Sequence, residues 1–207
     1  MKKRILKLVK IGLVLGLLSI ILLYVYILNA WKLDYTTSDI SKLISQIQQA
    51  EALPEQFYTL YNVEFEQSLE NSIAKQTWRS LISNTYKPSI SHFVSRFYYH
   101  GTHFQYHRNV SFVKLSLALE LEQRTTKREL LNWDMSTIDF LHNQHGIASA
   151  ACFYFDKTLT ALSDKELATL VVMSKNTSLY NPIRRPQLVA QKVEQLLEKT
   201  KGVLMDD

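Results

Sequence analysis

Apolar and polar positions divide the chain into one long apolar block and a series of shorter amphipathic ones. Ile11 to Trp31 contains no charged residue and is dominated by Leu, Ile and Val. Its length matches the roughly 20 residues a helix needs to cross a hydrocarbon core. Beyond it, Ser38 to Ala52 places Ile40, Leu43, Ile44 and Ile47 at i, i+3, i+4, i+7, an amphipathic helix with Ser38 as N-cap. That segment is expected to form a stem near the membrane. Leu53-Pro54 breaks it and starts the next helix. From Pro88, Ile90, Phe93, Val94 and Phe97 form one apolar face, with His92, Arg96 and His100 on the other, and Gly101 ends or kinks the helix.

Val110 to Arg124 is ambiguous by period. Leu115, Leu117, Leu119 and Leu121 alternate as in a strand, but the Leu, Ala, Glu, Lys and Gln composition favours a helix buried around most of its circumference. Two capping boxes follow, Thr126-Lys127-Arg128-Glu129 and Ser163-Asp164-Lys165-Glu166, the second leading into Leu167, Leu170 and Val171. Tyr180-Asn181-Pro182 and Arg185-Pro186 read as turns, and Gln187 to Lys199 as a last amphipathic helix. No convincing strand run is present, so the expected class is mainly α. The implied organisation is a basic stub (1–10), a transmembrane helix (11–31), a helical stem (32–53) and a domain (54–207).

Charge refines this picture. Lys2, Lys3, Arg4, Lys7 and Lys10 account for the whole net charge of +5, because the other 19 basic residues balance 19 acidic ones. The domain therefore carries no global footprint for nucleic acid. The basic stub predicts a cytoplasmic N-terminus, and Tyr24, Tyr26 and Trp31 fall where an outer aromatic belt would sit. A cleaved signal peptide would need a shorter apolar region and a small-x-small site, which Leu28-Asn29-Ala30 matches poorly, so an uncleaved anchor is expected. Cys152 lies in an apolar run and is expected to be a small core residue.

The second half of the chain resembles a known family. His145-Gly146-Ile147-Ala148-Ser149-Ala150-Ala151 to Tyr154-Phe155-Asp156-Lys157 resembles the "YGIEAAARYYFGK" segment of the peptidoglycan glycosyltransferases, glycosyltransferase family 51. Leu162-Ser163 to Leu170 resembles "LTLAEAALLAG", and Ser174-Lys175 to Tyr180-Asn181-Pro182 resembles "PKAPSRYNP". Leu117 to Arg124, continuing through Lys127 to Leu131, resembles "LALELERRYSKREIL". The ungapped match runs from about Val110 to Leu197 and extends more weakly back to Pro54. The resemblance implies a helical, lysozyme-like fold with a membrane-embedded substructure. It also implies a substrate of lipid-linked disaccharide-peptide at the outer face of the bacterial cytoplasmic membrane, and a divalent metal only if the chain is active.

The motifs that carry the family's chemistry match less well. Proton abstraction from a sugar hydroxyl needs a carboxylate in a tuned environment. In E-D-x-x-F-x-x-H-x-G, counted from Pro54, the catalytic glutamate slot holds Phe65, the aspartate slot Glu66 and the phenylalanine slot Leu69. Glu64 and Glu66 flank it as rescue candidates, each about 100° away around a helix. In G-S-T-I-T-Q-Q-x-x-K, Ser89-Ile90-Ser91 stands for T-I-T, His92 and Phe93 for the glutamines and Arg96 for the lysine. In R-K-x-x-E the slots hold Val110, Ser111 and Lys114, which reverses the charge of the second glutamate. K-x-x-I-L-E-x-Y-L-N keeps Lys127, Leu130 and Leu131, then diverges to Asn132, Asp134, Met135 and Ser136. R-R-x-x-V-L is reduced to Lys192, Val193, Leu196 and Leu197.

The substrate-binding candidates implied by the resemblance are thus Ser89, Ser91, His92, Arg96, Lys127 and Lys192. Three readings stay open. One is a catalytically impaired accessory protein that binds lipid-linked precursor or a cell-wall synthase. The others are a divergent active transglycosylase using Glu64 or Glu66, and a structural membrane-anchored interaction module. His100, His103 and His107 have one-face spacing but lack Cys or carboxylate partners for a familiar metal motif. Tyr98, Tyr99, Phe104 and Tyr106 are expected in the core. Glu120 and Glu122 read as structural, and Trp133, Asp134 and Asp139 as surface or loop residues.

Overall fold

The structure is a computed structural model describing residues 2–83, 87–102 and 110–206. His103, Phe104, Tyr106 and His107, singled out above, lie outside the described residues. Among those described there are ten α-helices and no strand, only an isolated bridge pairing Asp139 with His145.

Helix α1 (Lys2–Asn29) is 28 residues long, about 42 Å at 1.5 Å per residue, which exceeds a hydrocarbon core of about 30 Å. It is the one described helix long and apolar enough to cross a membrane. A 3-10 turn, Ala30–Leu33, carries the chain from it into the domain. Trp31 does not join an aromatic belt. It is 5% exposed, and its backbone N–H donates to Ser116 Oγ at 3.1 Å. Tyr24 and Tyr26 stay exposed, and Tyr26 meets Phe112 edge-on at 5.7 Å. The anchor is thus packed directly against α6 (Val110–Arg124).

Helix α2 (Thr37–Gln49) begins at Thr36, not Ser38. Thr36 and Asp39 form a reciprocal capping box that satisfies the first-turn donors. Ile40, Leu43, Ile44 and Ile47 are buried against the domain, and α2 packs on α7 (Lys127–Thr137). The segment expected as a stem is therefore part of the core. Helix α3 (Glu55–Glu64) follows Pro54 and buries Phe57, Tyr58, Leu60 and Tyr61. Each such side chain removed from water contributes roughly 1.5–3 kcal/mol. Helix α4 (Ile73–Ile82) is capped by Ser72 and leaves Trp78, Leu81 and Ile82 exposed. Helix α5 (Ile90–Thr102) buries Ile90, Ser91, Val94, Ser95 and Tyr99. Its core face is turned from the one the apolar spacing suggested, because Phe93 and Phe97 open onto a cleft.

Helix α6 is a helix despite its alternating leucines. Both later capping boxes form, opening α7 and α9 (Asp164–Lys175). Helix α9 is buried all round from Leu167 to Met173, the mark of a central helix. α3, α8 (Ile147–Phe155) and α10 (Pro186–Asp206) pack around it. On α8, Ile147, Ala150 and Ala151 face inward, which turns Cys152 outward. It is exposed, not a core residue.

Gly146 precedes α8 with φ +82°, and a Cβ there would lie 2.7 Å from the Ser136 carbonyl oxygen. Backbone cannot yield cheaply to that contact, and L side chains rarely adopt that φ. Gly146→Ala is expected to lower stability by about 2 kcal/mol or more, read as a drop in the thermal midpoint in detergent.

Candidate functional site

The C-terminal ends of α3 and α9 meet at a cleft of about 350 Å³. Its wall is mostly aromatic and apolar, formed by Tyr61 and Phe65 from α3, Phe93 and Phe97 from α5, and Met135 and Ile138 from the α7 end. Arg96, His100, Ser174, Lys175 and Asp134 complete it. Phe65 is the C-cap of α3 and stacks on Tyr61 with ring centroids 4.1 Å apart. It also meets Phe93 edge-on at 6.0 Å. The slot where the resemblance implied a general base thus presents an aromatic face to the cleft.

The two neighbouring carboxylates point elsewhere. Glu64 accepts a hydrogen bond from Lys175 Nζ at 2.6 Å, tying α3 to α9 beside the cleft. The same ammonium lies 5.9 Å from the Phe65 ring centroid. Glu66 is exposed at φ +51° and lines a separate polar hollow with Lys75, Arg79 and Lys87. Neither glutamate belongs to the cleft wall.

Arg96 of the cleft wall has a second cation, Lys114, close by. Burial and the adjacent Arg96 charge lower the Lys114 ammonium below its ordinary range. The His92 imidazole is lowered by burial and by Arg96 and Lys114, and His100 by burial and the same two cations. Neither Arg96 nor Lys114 forms an ion pair with a described carboxylate. Two cations without a described carboxylate partner can attract an anion, and a guanidinium can grip phosphate bidentately.

The other expected ligand contacts are placed away from the cleft. Ser89 and Ser91 are fully buried. Gln76 Oε1 accepts from the Ser89 backbone N–H at 2.9 Å, and the two serine hydroxyls are 2.8 Å apart. Ser91 donates to Glu122, which also accepts from the Ile73 N–H and from Lys127 Nζ. Three donors from α4, α5 and α7 thus converge on one α6 carboxylate. Ser89, Ser91 and Lys127 are occupied there because each satisfies another buried polar group. Lys192 is half-buried on α10 and donates to Gln195 at 3.1 Å.

The sequence reading missed Asp134. It was expected at the surface with Trp133, yet the two are 9% and 8% exposed. Asp134 lines the cleft, and burial pushes its carboxyl up to about 7. No described side chain hydrogen-bonds its carboxyl group. The Tyr61 phenol is raised by burial and then by this nearby acid. The donor set does not suit a divalent cation: Asp134 is the only carboxylate lining the described cleft, and Arg96 and Lys175 share that wall.

Comparison with known proteins places this geometry. A family model described as Transglycosylase matches residues 55–201, well over half of the chain. The chain belongs to the transglycosylase family. The mainly helical, lysozyme-like architecture is the one expected for a member. Its relatives include penicillin-binding protein 4 of Bacillus subtilis (strain 168), 35% identical over 95 residues, covering 45% of this chain and 15% of the relative. Penicillin-binding protein 1A of Streptococcus oralis is 31% identical over 86 residues, covering 42% of this chain and 14% of the relative. Penicillin-binding protein 1A of Neisseria gonorrhoeae is 36% identical over 76 residues, covering 37% and 10%. The chain thus matches only a small part of the length of these relatives. Within this transglycosylase-family domain, the cleft combines an apolar aromatic wall, a cationic mouth and one buried acid. That combination suits an amphiphilic ligand with an anionic group.

The buried acid gives a pH signature. Its folded value is raised from 3.8 to about 7, so the folded state holds the proton more tightly than the unfolded chain. The stability this provides is full below pH 3.8 and is lost as pH rises through 7. The displacement corresponds to about 4 kcal/mol at most, an upper bound because cleft water relieves part of the burial. Asp134→Asn, neutral throughout, is expected to match wild type near pH 4 and exceed its thermal midpoint at pH 8. Parallel melting curves from pH 4 to 8 would show the divergence, and curves that stay parallel would contradict it.

Proposed function

We propose that this transglycosylase-family protein serves bacterial cell-wall synthesis as an accessory that binds the lipid-linked disaccharide-peptide precursor in its cleft without transferring it. The observation that carries this reading is the cleft itself. By the resemblance, Phe65 stands in the general-base slot and Lys114 in the second glutamate slot, and Arg96 on the cleft wall with Lys114 close by carries positive charge that no described carboxylate pairs. A diphosphate fits that patch, since charge-assisted hydrogen bonds to an ionised oxygen contribute about 1.5–3 kcal/mol. The aromatic wall suits the apolar faces of sugar rings and the start of a lipid chain.

In this reading the apolar N-terminal helix is the anchor in the cytoplasmic membrane. The basic stub is inside and the domain is on the extracytoplasmic side. Cell-wall synthases are the natural protein partners, because the bound precursor has to be passed to a chain that can polymerise it. An active enzyme based on Glu64 or Glu66 is less well supported. Glu64 is engaged by Lys175, and Glu66 faces a different hollow.

Purified full-length protein in detergent, mixed with labelled lipid-linked disaccharide-peptide, is expected to bind it and to yield no glycan polymer. Combined Arg96→Ala and Lys114→Ala substitution is expected to weaken binding by about tenfold or more. Processive polymer from wild type would overturn the accessory reading. Absence of binding would leave a purely structural module.

A further inference from the structure

We propose that Asp134 is a recognition carboxyl of the cleft, hydrogen-bonding a hydroxyl or amide of a saccharide unit whose anionic group lies against Arg96 and Lys114. The first support is a carboxyl that opens onto the cavity with no side-chain partner. Asp134 is nine-tenths buried and lines the cavity, yet no described side chain completes its carboxyl. The one hydrogen bond it accepts from a side chain goes to its backbone oxygen, from Thr137 at 2.9 Å. That carboxyl is not among the fully enclosed polar atoms that lack a partner, so it meets water in the cleft, and a ligand there can take the water's place. The fold draws no side-chain hydrogen bond from the acid, since the one bond to Asp134 goes to its backbone. A partner that arrives from the cavity accounts for the acid.

The surroundings select the partner's chemistry. A cationic ligand would be repelled by Arg96 and Lys175, which share the wall. An anion placed directly on the carboxyl would be repelled by its ionised form. A hydroxyl or amide avoids both penalties and leaves the anion to the mouth. The polar and charged groups that share the cleft wall with Asp134 are Tyr61 of α3, Arg96 and His100 of α5, and Ser174 and Lys175 of α9, the last paired with Glu64. In that setting burial holds the carboxyl partly neutral near pH 7, able to donate as well as accept. Phe65, Phe93 and Phe97 provide the apolar faces that a sugar ring stacks on.

This inference rests on the reading that a lipid-linked saccharide enters the cleft, and the test separates the two. Full-length protein in detergent is titrated with lipid-linked disaccharide-peptide and with the same polyprenyl diphosphate lacking sugar. Asp134→Leu is expected to weaken the sugar-bearing probe by about tenfold and leave the sugar-free probe within about twofold. Asp134→Asn, which keeps a donor and an acceptor, is expected to stay within about threefold of wild type on both. Melting curves confirm that both variants fold. If Asp134→Leu binds the sugar-bearing probe as wild type does, or weakens both probes equally, the recognition role is overturned while precursor binding stands. If wild type binds neither probe, both readings fall.

Discussion

Helix α9 has no solvent face over its middle turns, and the cleft geometry follows from that. A helix buried on every side must be enclosed by others, and α3, α8 and α10 enclose it. Because α3 packs along α9, their C-terminal ends finish together. Phe65 and Lys175 therefore meet at the mouth of one cleft instead of on separate surfaces. The Glu64–Lys175 pair closes that junction but is half-exposed on the lysine side. Such pairs contribute on the order of 1 kcal/mol or less, so packing sets the alignment and the ion pair trims it.

On the other side of the molecule, polar groups do the positioning. Glu122 gathers donors from three helices, and the buried serines of α5 are bound into the same network. This holds α5 at a rotation that sends Phe93, Phe97 and Arg96 toward the cleft. The polar residues that resembled ligand contacts thus shape the site from behind. The contrast with Asp134 is informative: polar groups at Glu122 pair with one another, whereas the acid in the cleft wall faces the cavity.

Much of the fold was legible because its signals are local. Capping boxes at Thr126 and Ser163, the Pro54 start of α3 and the apolar period of α2 each depend on residues within a turn or two. Helix α4 has an amphipathic spacing that was not read from the sequence, and its apolar residues Trp78, Leu81 and Ile82 are exposed while Ile73 and Gln76 are buried. The face of α5 was misread because aromatic side chains can line a cleft as readily as fill a core. Phe65 and Arg96, which the motif slots singled out, line the cleft. Asp134 could not be placed there, because a polar residue between hydrophobic ones looks like a surface position until a neighbouring helix covers it. Its burial depends on packing between distant segments, as does the outward turn of Cys152.

The continuity between α1, the Ala30–Leu33 turn and α6 has a mechanical meaning. Trp31 is buried beneath α6, and Tyr26 abuts Phe112, so no slack tether separates the apolar helix from the domain. The orientation of the apolar helix is thereby coupled to α6, and through α6 to α5, whose Phe93, Arg96 and Phe97 line the cleft.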